Sequence, residues 1–101
     1  MSRHTILLLQ RQPSKTSRTF TDHETTELAL ESILNFYEGK LKELNPTARD
    51  LSYEISDLHA YLDKYTDICA LVFDPQLKAY VPRDRQWIKD RIYQHLNQKA
   101  K

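Results

Sequence analysis

Thr5-Ile6-Leu7-Leu8-Leu9-Gln10, closed by Arg11-Gln12-Pro13-Ser14, and Ile68-Cys69-Ala70-Leu71-Val72-Phe73, closed by Asp74-Pro75-Gln76, are the two apolar runs on which the fold turns. Each is short for a packed helix and bounded by turn formers, so both read as strands. Side chains of a strand alternate between the two faces of its sheet. Leu7 and Leu9 therefore oppose Ile6 and Leu8, and Cys69, Leu71 and Phe73 oppose Ile68, Ala70 and Val72. Both faces of both strands are apolar, so the sheet needs cover on both sides.

The rest of the chain supplies the remaining elements. Arg18-Thr19-Phe20-Thr21, after a polar loop over Pro13 to Ser17, reads as a second, antiparallel strand. A long helix then follows, with Thr21 and Glu24 at capping-box spacing and Asp22, Glu24 and Glu27 near its positive end. Leu30, Leu34, Tyr37, Leu41 and Leu44 recur at steps of three and four, with Ile33 beside them, and Asn45-Pro46 stops the helix. Thr47 to Ser52 reads as a polar loop. Ser56-Asp57 offers an N-cap to a shorter helix carrying Leu58, Tyr61, Leu62 and Tyr65. After the second apolar run, Lys78-Ala79-Tyr80-Val81 returns as a strand ended by Pro82. Asp84 can cap a last helix whose inner face is Trp87, Ile88, Arg91, Ile92 and Leu96. The order is ββααββα, an α+β fold with a four-stranded antiparallel sheet and three helices.

Three helices, each with one apolar stripe, are expected to cover one face of this sheet. The other face then exposes four or five apolar side chains, each forgoing about 1.5–3 kcal/mol of burial. A patch of that kind marks an interface, most economically with an identical copy about a two-fold axis. The competing arrangement, with helices on both faces and these residues simply core, is open at this level.

Length and charge narrow the classes. The chain has 101 residues and 12.0 kDa, which fits one modest core; a folded monomer of that mass exposes on the order of 6,000 Å² against roughly 17,000 Å² extended. A single domain over 1–101 is expected, with an ordered core over about 4–97 and short polar tails. Lys and Arg number 15 against 14 Asp and Glu, a net charge of +1, whereas duplex binders carry a basic excess. One glycine, Gly39, excludes the glycine-rich loops that cradle nucleotide phosphates. The first residues precede too short an apolar stretch for a signal peptide, and no stretch approaches membrane-spanning length. With one cysteine, the expectation is a soluble protein of a reducing compartment.

Candidate chemistry is sparse. His4, His23, His59 and His95 show no metal-ligand spacing and Cys69 has no companion thiol, so structural histidines and a small buried cysteine are expected, with no metal and no cofactor. Asp22-His23-Glu24 could supply acid–base groups but suits a helix start, and no nucleophile signature accompanies it; no catalytic residue is assigned. The aromatic residues lie mostly at core spacing. Direct single-stranded RNA binding on the sheet surface is kept as the alternative, since it needs aromatics on an open sheet. Thr19-Phe20-Thr21-Asp22 and Thr21-Asp22-His23-Glu24 place Thr19 and Thr21 three residues before an acid, the pattern of an acidophilic kinase, and phosphate on Thr19 would add charge beside a docking surface.

His4-Thr5-Ile6-Leu7-Leu8-Leu9-Gln10, Arg18-Thr19-Phe20, Asn45-Pro46, Tyr53-Glu54-Ile55-Ser56, Leu71-Val72-Phe73, Tyr80-Val81-Pro82 and Trp87-Ile88-Lys89 occur in that order. This collinear set resembles the enhancer of rudimentary family, from near the N-terminus to about Leu96. The resemblance implies a four-stranded antiparallel sheet with helices on one side and a homodimer built through the sheets. It also implies a non-enzymatic adaptor of the nucleus, with the cytoplasm as a second location, that binds peptide segments of RNA-processing and transcription proteins. It places Ile6 and Leu8 at the dimer interface, with Leu71 and Tyr80 as further interface candidates on neighbouring strands. The family pattern suggests a further phosphate acceptor near Thr25, but Leu28 stands where the acid would be.

Overall fold

The computed structural model describes residues 3–47, 49 and 52–99. The chain runs β1 (Thr5–Gln10), a 3-10 turn (Lys15–Ser17), β2 (Arg18–His23), α1 (Thr26–Leu44), α2 (Ile55–Asp63), β3 (Asp67–Asp74), β4 (Ala79–Arg83) and α3 (Arg85–Lys99). The four strands form one sheet in the order β2-β1-β3-β4, antiparallel throughout. The ββααββα order and the antiparallel sheet agree with the pattern read from the sequence. Part of the expected polar loop over 47–52 lies outside the described residues, as do the ends of the expected polar tails.

Register decides which side chains share a face. Leu7 pairs with Ala70 and Leu9 with Ile68, and these turn toward the helices. They are buried with Ala29, Leu30, Ile33, Leu34 and Tyr37 of α1, Leu58 and Leu62 of α2, and Ile88 and Ile92 of α3. All three helices thus share one core with a single face of the sheet. The depth of the molecule agrees, 20 Å along its short axis against 47 and 40 Å along the others, the thickness of a sheet and one layer of helices. Helices on both faces would add a third layer.

Caps and turns depart from the sequence pattern in identifiable ways. β2 extends through His23, which pairs with Thr5, so Thr21 and Asp22 are strand residues. The cap of α1 is Thr25, whose Oγ1 accepts the Leu28 N–H at 3.0 Å. α2 starts before Ser56, because the Glu54 N–H donates to Asp57 Oδ2 at 3.1 Å, the return half of a capping box. Tyr65 lies beyond α2, yet is buried in the core. Leu44 continues the stripe of α1 but is 69% exposed; it is the last helical residue and overhangs the end of the core. Asp84 caps α3 as expected, accepting the Trp87 N–H at 2.9 Å.

The β3–β4 turn is tied by Asp74 Oδ1, which accepts from the amides of Gln76 and Leu77 at 2.9 and 3.2 Å. Lys78 sits in that turn with φ of 54°, a left-handed conformation that cannot begin a strand, so β4 starts at Ala79. Pro82 does not end β4, which continues to Arg83. As an edge strand, β4 has one side without a partner and tolerates a residue lacking an N–H.

Candidate functional site

The alternate side chains of the strands make a face that no helix covers among the described residues. Phe20, Leu8 and Cys69 form one row across β2, β1 and β3, and Asp22, Ile6, Leu71 and Pro82 form the next across all four strands. Phe73 and Tyr80 continue it, paired in register with ring centroids 5.3 Å apart at 67°. Leu8 is 39%, Phe20 71% and Tyr80 41% exposed, while Ile6, Leu71 and Phe73 are half-buried between them. Ile6, Leu8, Leu71 and Tyr80, singled out in the sequence, therefore stand on one surface.

Polar groups rim that surface. His4, just before β1, places Nδ1 2.7 Å from the Tyr80 hydroxyl, and its Nε2 meets the Asp22 carboxylate. A neutral imidazole satisfies both contacts when Nε2–H donates to Asp22 and Nδ1 accepts from the tyrosine O–H. At the opposite end the Arg18 Nε donates to Gln10 Oε1 at 3.1 Å. Between Arg18, Phe20, Leu8 and Asp67 the surface sinks into a cavity of about 330 Å³.

Sequence reasoning gave Phe20 no place on this face, because its neighbours Thr19 and Thr21 obscure the stripe. The alternation of Thr19, Phe20 and Thr21 is the signal that could have found it. Cys69 differs from expectation: it is half-buried on the uncovered face rather than fully enclosed. Burial pushes its thiol above the ordinary value of 9.0. Thr19 is exposed and Thr21 half-buried, and both share the parity of Leu9 and Leu7, pointing to the helix side. Thr21 Oγ1 lies 2.8 Å from His23 Nε2, so it serves a strand contact and not a helix cap.

Of the remaining histidines, His95 joins two helices, whereas His59 Nε2 is buried with no hydrogen-bond partner among the described residues. His95 Nε2 lies 2.8 Å from Glu31 Oε1, which also accepts from Lys99 at 2.8 Å, joining α3 to α1. Among the described residues no cluster of three or more His, Cys, Asp or Glu side chains is placed to hold a metal ion. No helix of the described chain is long and apolar enough to cross a membrane.

A two-layer α+β domain with one apolar sheet face left open among the described residues defines a class of small protein whose distinguishing surface is that open face. The family model for enhancer of rudimentary matches residues 1–101. The chain is 48% identical over 99 residues to an enhancer of rudimentary homolog of Arabidopsis thaliana, covering 98% of this chain and 91% of the relative. It is 41% identical over 97 residues to the homolog of Dictyostelium discoideum, covering 96% and 97%. Similarity extends to enhancer of rudimentary homolog 1 of Schizosaccharomyces pombe, 27% identical over 93 residues and covering 92% and 86%. The chain belongs to the enhancer of rudimentary family.

Proposed function

We propose that this protein is a homodimeric nuclear adaptor with no catalytic activity of its own. Two copies pair through their uncovered sheet faces, and the dimer offers symmetry-related grooves to peptide segments of RNA-processing and transcription proteins. Such a dimer holds two partner chains at raised effective concentration, a role suited to mRNA processing and decay, gene regulation and cell-cycle control. One observation carries the reading: Leu8, Phe20 and Tyr80 stay exposed on a sheet face with Ile6 and Leu71 between them. An identical face is the economical cover, because an apolar centre with polar ends is complementary to itself under a two-fold rotation.

The test is an Ile6→Arg plus Leu8→Arg variant examined by sedimentation beside the wild type. The wild type is expected at twice 12.0 kDa and the variant as a folded monomer that no longer retains partner peptides from nuclear extract. A wild type that sediments as a monomer, or a variant that stays dimeric, refutes the interface. The second reading, single-stranded RNA binding on the same face, draws on Phe20, Phe73 and Tyr80 with Arg18 beside them, an aromatic surface on which bases could stack. Submicromolar, salt-sensitive RNA binding by the purified chain would favour it.

A further inference from the structure

On the helix side of the sheet, away from the uncovered face, a second pocket of about 360 Å³ lies near the start of α1 and the N-terminal half of α3. Its charged lining is Arg3, Arg83, Arg91 and Glu27. Three guanidiniums against one carboxylate leave two positive charges in one pocket of a chain whose net charge is only +1. Two of the three guanidiniums are held in place by Trp87: the Arg83 and Arg91 carbons lie 5.7 and 5.2 Å from its ring centroid. Arg83 Nε is buried and has no acceptor among the described residues, an unmet donor of the kind that normally finds a partner. Glu27 is a loose partner, its Oε1 3.8 Å from Arg91 Nη2.

We propose that this pocket binds a phosphomonoester carried on a serine or threonine of a partner peptide. A phosphomonoester brings about −1.5 to −2 charge and three acceptor oxygens, matching the two uncompensated charges, and guanidinium forks grip phosphate in bidentate fashion. A nucleic acid suits the pocket less well. Each phosphodiester carries one charge, and the only tryptophan ring is already engaged by two arginines, which leaves no free platform for base stacking. The peptide carrier rests on the adaptor reading, whereas the phosphate chemistry stands on the pocket alone.

Because Trp87 is the only tryptophan, its emission reports on the pocket directly. The experiment titrates the full chain at fixed ionic strength with acetyl-Gly-phosphoSer-Gly-amide, its unphosphorylated twin, inorganic phosphate and oligo(U). The phosphopeptide is expected to give a saturable change, with the twin at least tenfold weaker. Arg91→Gln and Arg83→Gln should each weaken binding about tenfold or more. Glu27→Gln should tighten it severalfold by removing the competing carboxylate, an effect that a merely structural role would not produce. If Arg83→Gln fails to fold, Arg91→Gln and Glu27→Gln on the helix surfaces carry the test. Absence of a phosphate-dependent change, wild-type affinity in Arg91→Gln, or tighter binding of oligo(U) than of the phosphopeptide would overturn the proposal. Binding of inorganic phosphate without the peptide would overturn the peptide assignment. The double-arginine sheet variant leaves this pocket intact, so failure here and failure of the dimer are read separately.

Discussion

Leu8 of β1 and Phe20 of β2 stand opposite each other on the sheet face that no helix covers among the described residues, and both are exposed. Phe20, at 71% exposure, contributes little to the monomer's own stability. Phe20→Ser should therefore change monomer stability by no more than about 0.5 kcal/mol, the usual range for surface positions. In the proposed dimer the same ring is enclosed, and its loss should weaken association severalfold or more. Urea unfolding of the dilute monomer and a sedimentation series in concentration separate the two effects. A large loss in the first with none in the second would place Phe20 in the monomer core.

Cys69 pairs with Leu8 in register and serves as a built-in reporter for that face. Its thiol is raised above 9.0, first by burial, against a smaller lowering from the Arg83 backbone. The thiolate is the reactive form, so iodoacetamide should alkylate Cys69 at pH 8 severalfold more slowly than a free cysteine derivative. Alkylation should slow further as protein concentration rises and quicken in the Ile6→Arg plus Leu8→Arg variant. A rate equal to that of the free thiol and indifferent to concentration would contradict both the burial and the cover.

What could be read ahead of the structure follows from how local each signal is. β1 is bounded by its own composition, and its span agrees with the sequence reading to the residue. The stripe from Leu30 to Leu41 needs only helical spacing, and it packs as expected, with Leu41 at the core margin. The start of α1 could not be read locally, because Thr21 and Thr25 can both cap. The choice is made by β2 pairing with Thr5, a contact across 18 residues of chain. The one-sided sheet followed from counting stripes against faces. Its membership did not, since Phe20 joins the face only through its register with Leu8. The arginine pocket had no sequence signal at all: Arg3, Arg83 and Arg91 are brought together by the sheet and by α3.

Leu62 and Leu44 test the depth of the core. Leu62 of α2 is wholly buried in the core, so Leu62→Ala should cost about 2–5 kcal/mol. At about 4–8 °C per kcal/mol for a domain near this size, that is a fall of more than 8 °C in Tm. Leu44→Ala, in a residue of the same type and helical setting but 69% exposed, should cost no more than about 0.5 kcal/mol. Thermal unfolding of the pair decides; equal losses would mean that α1 is anchored through its final turn after all.

Glu31 ties α1 to α3 and gives stability a dependence on pH. Its carboxyl is held below the ordinary 4.5, first by the hydrogen bond from Lys99 and then by that from His95, with burial acting weakly the other way. A carboxylate whose folded pKa is depressed contributes its full stabilisation above pH 4.5 and loses it as pH falls through the folded value. Lys99, raised above 10.5 chiefly by the same hydrogen bond, contributes below pH 10.5 and loses its share as pH rises through its own folded value. Lys99 is exposed and Glu31 half-buried at the surface, so solvent screening keeps the total to no more than about 1 kcal/mol. Glu31→Gln should lower the urea midpoint modestly near neutral pH and flatten its decline below pH 4.5. Wild-type and variant midpoints falling in parallel through the acid range would show that this linkage contributes nothing to holding the two helices together.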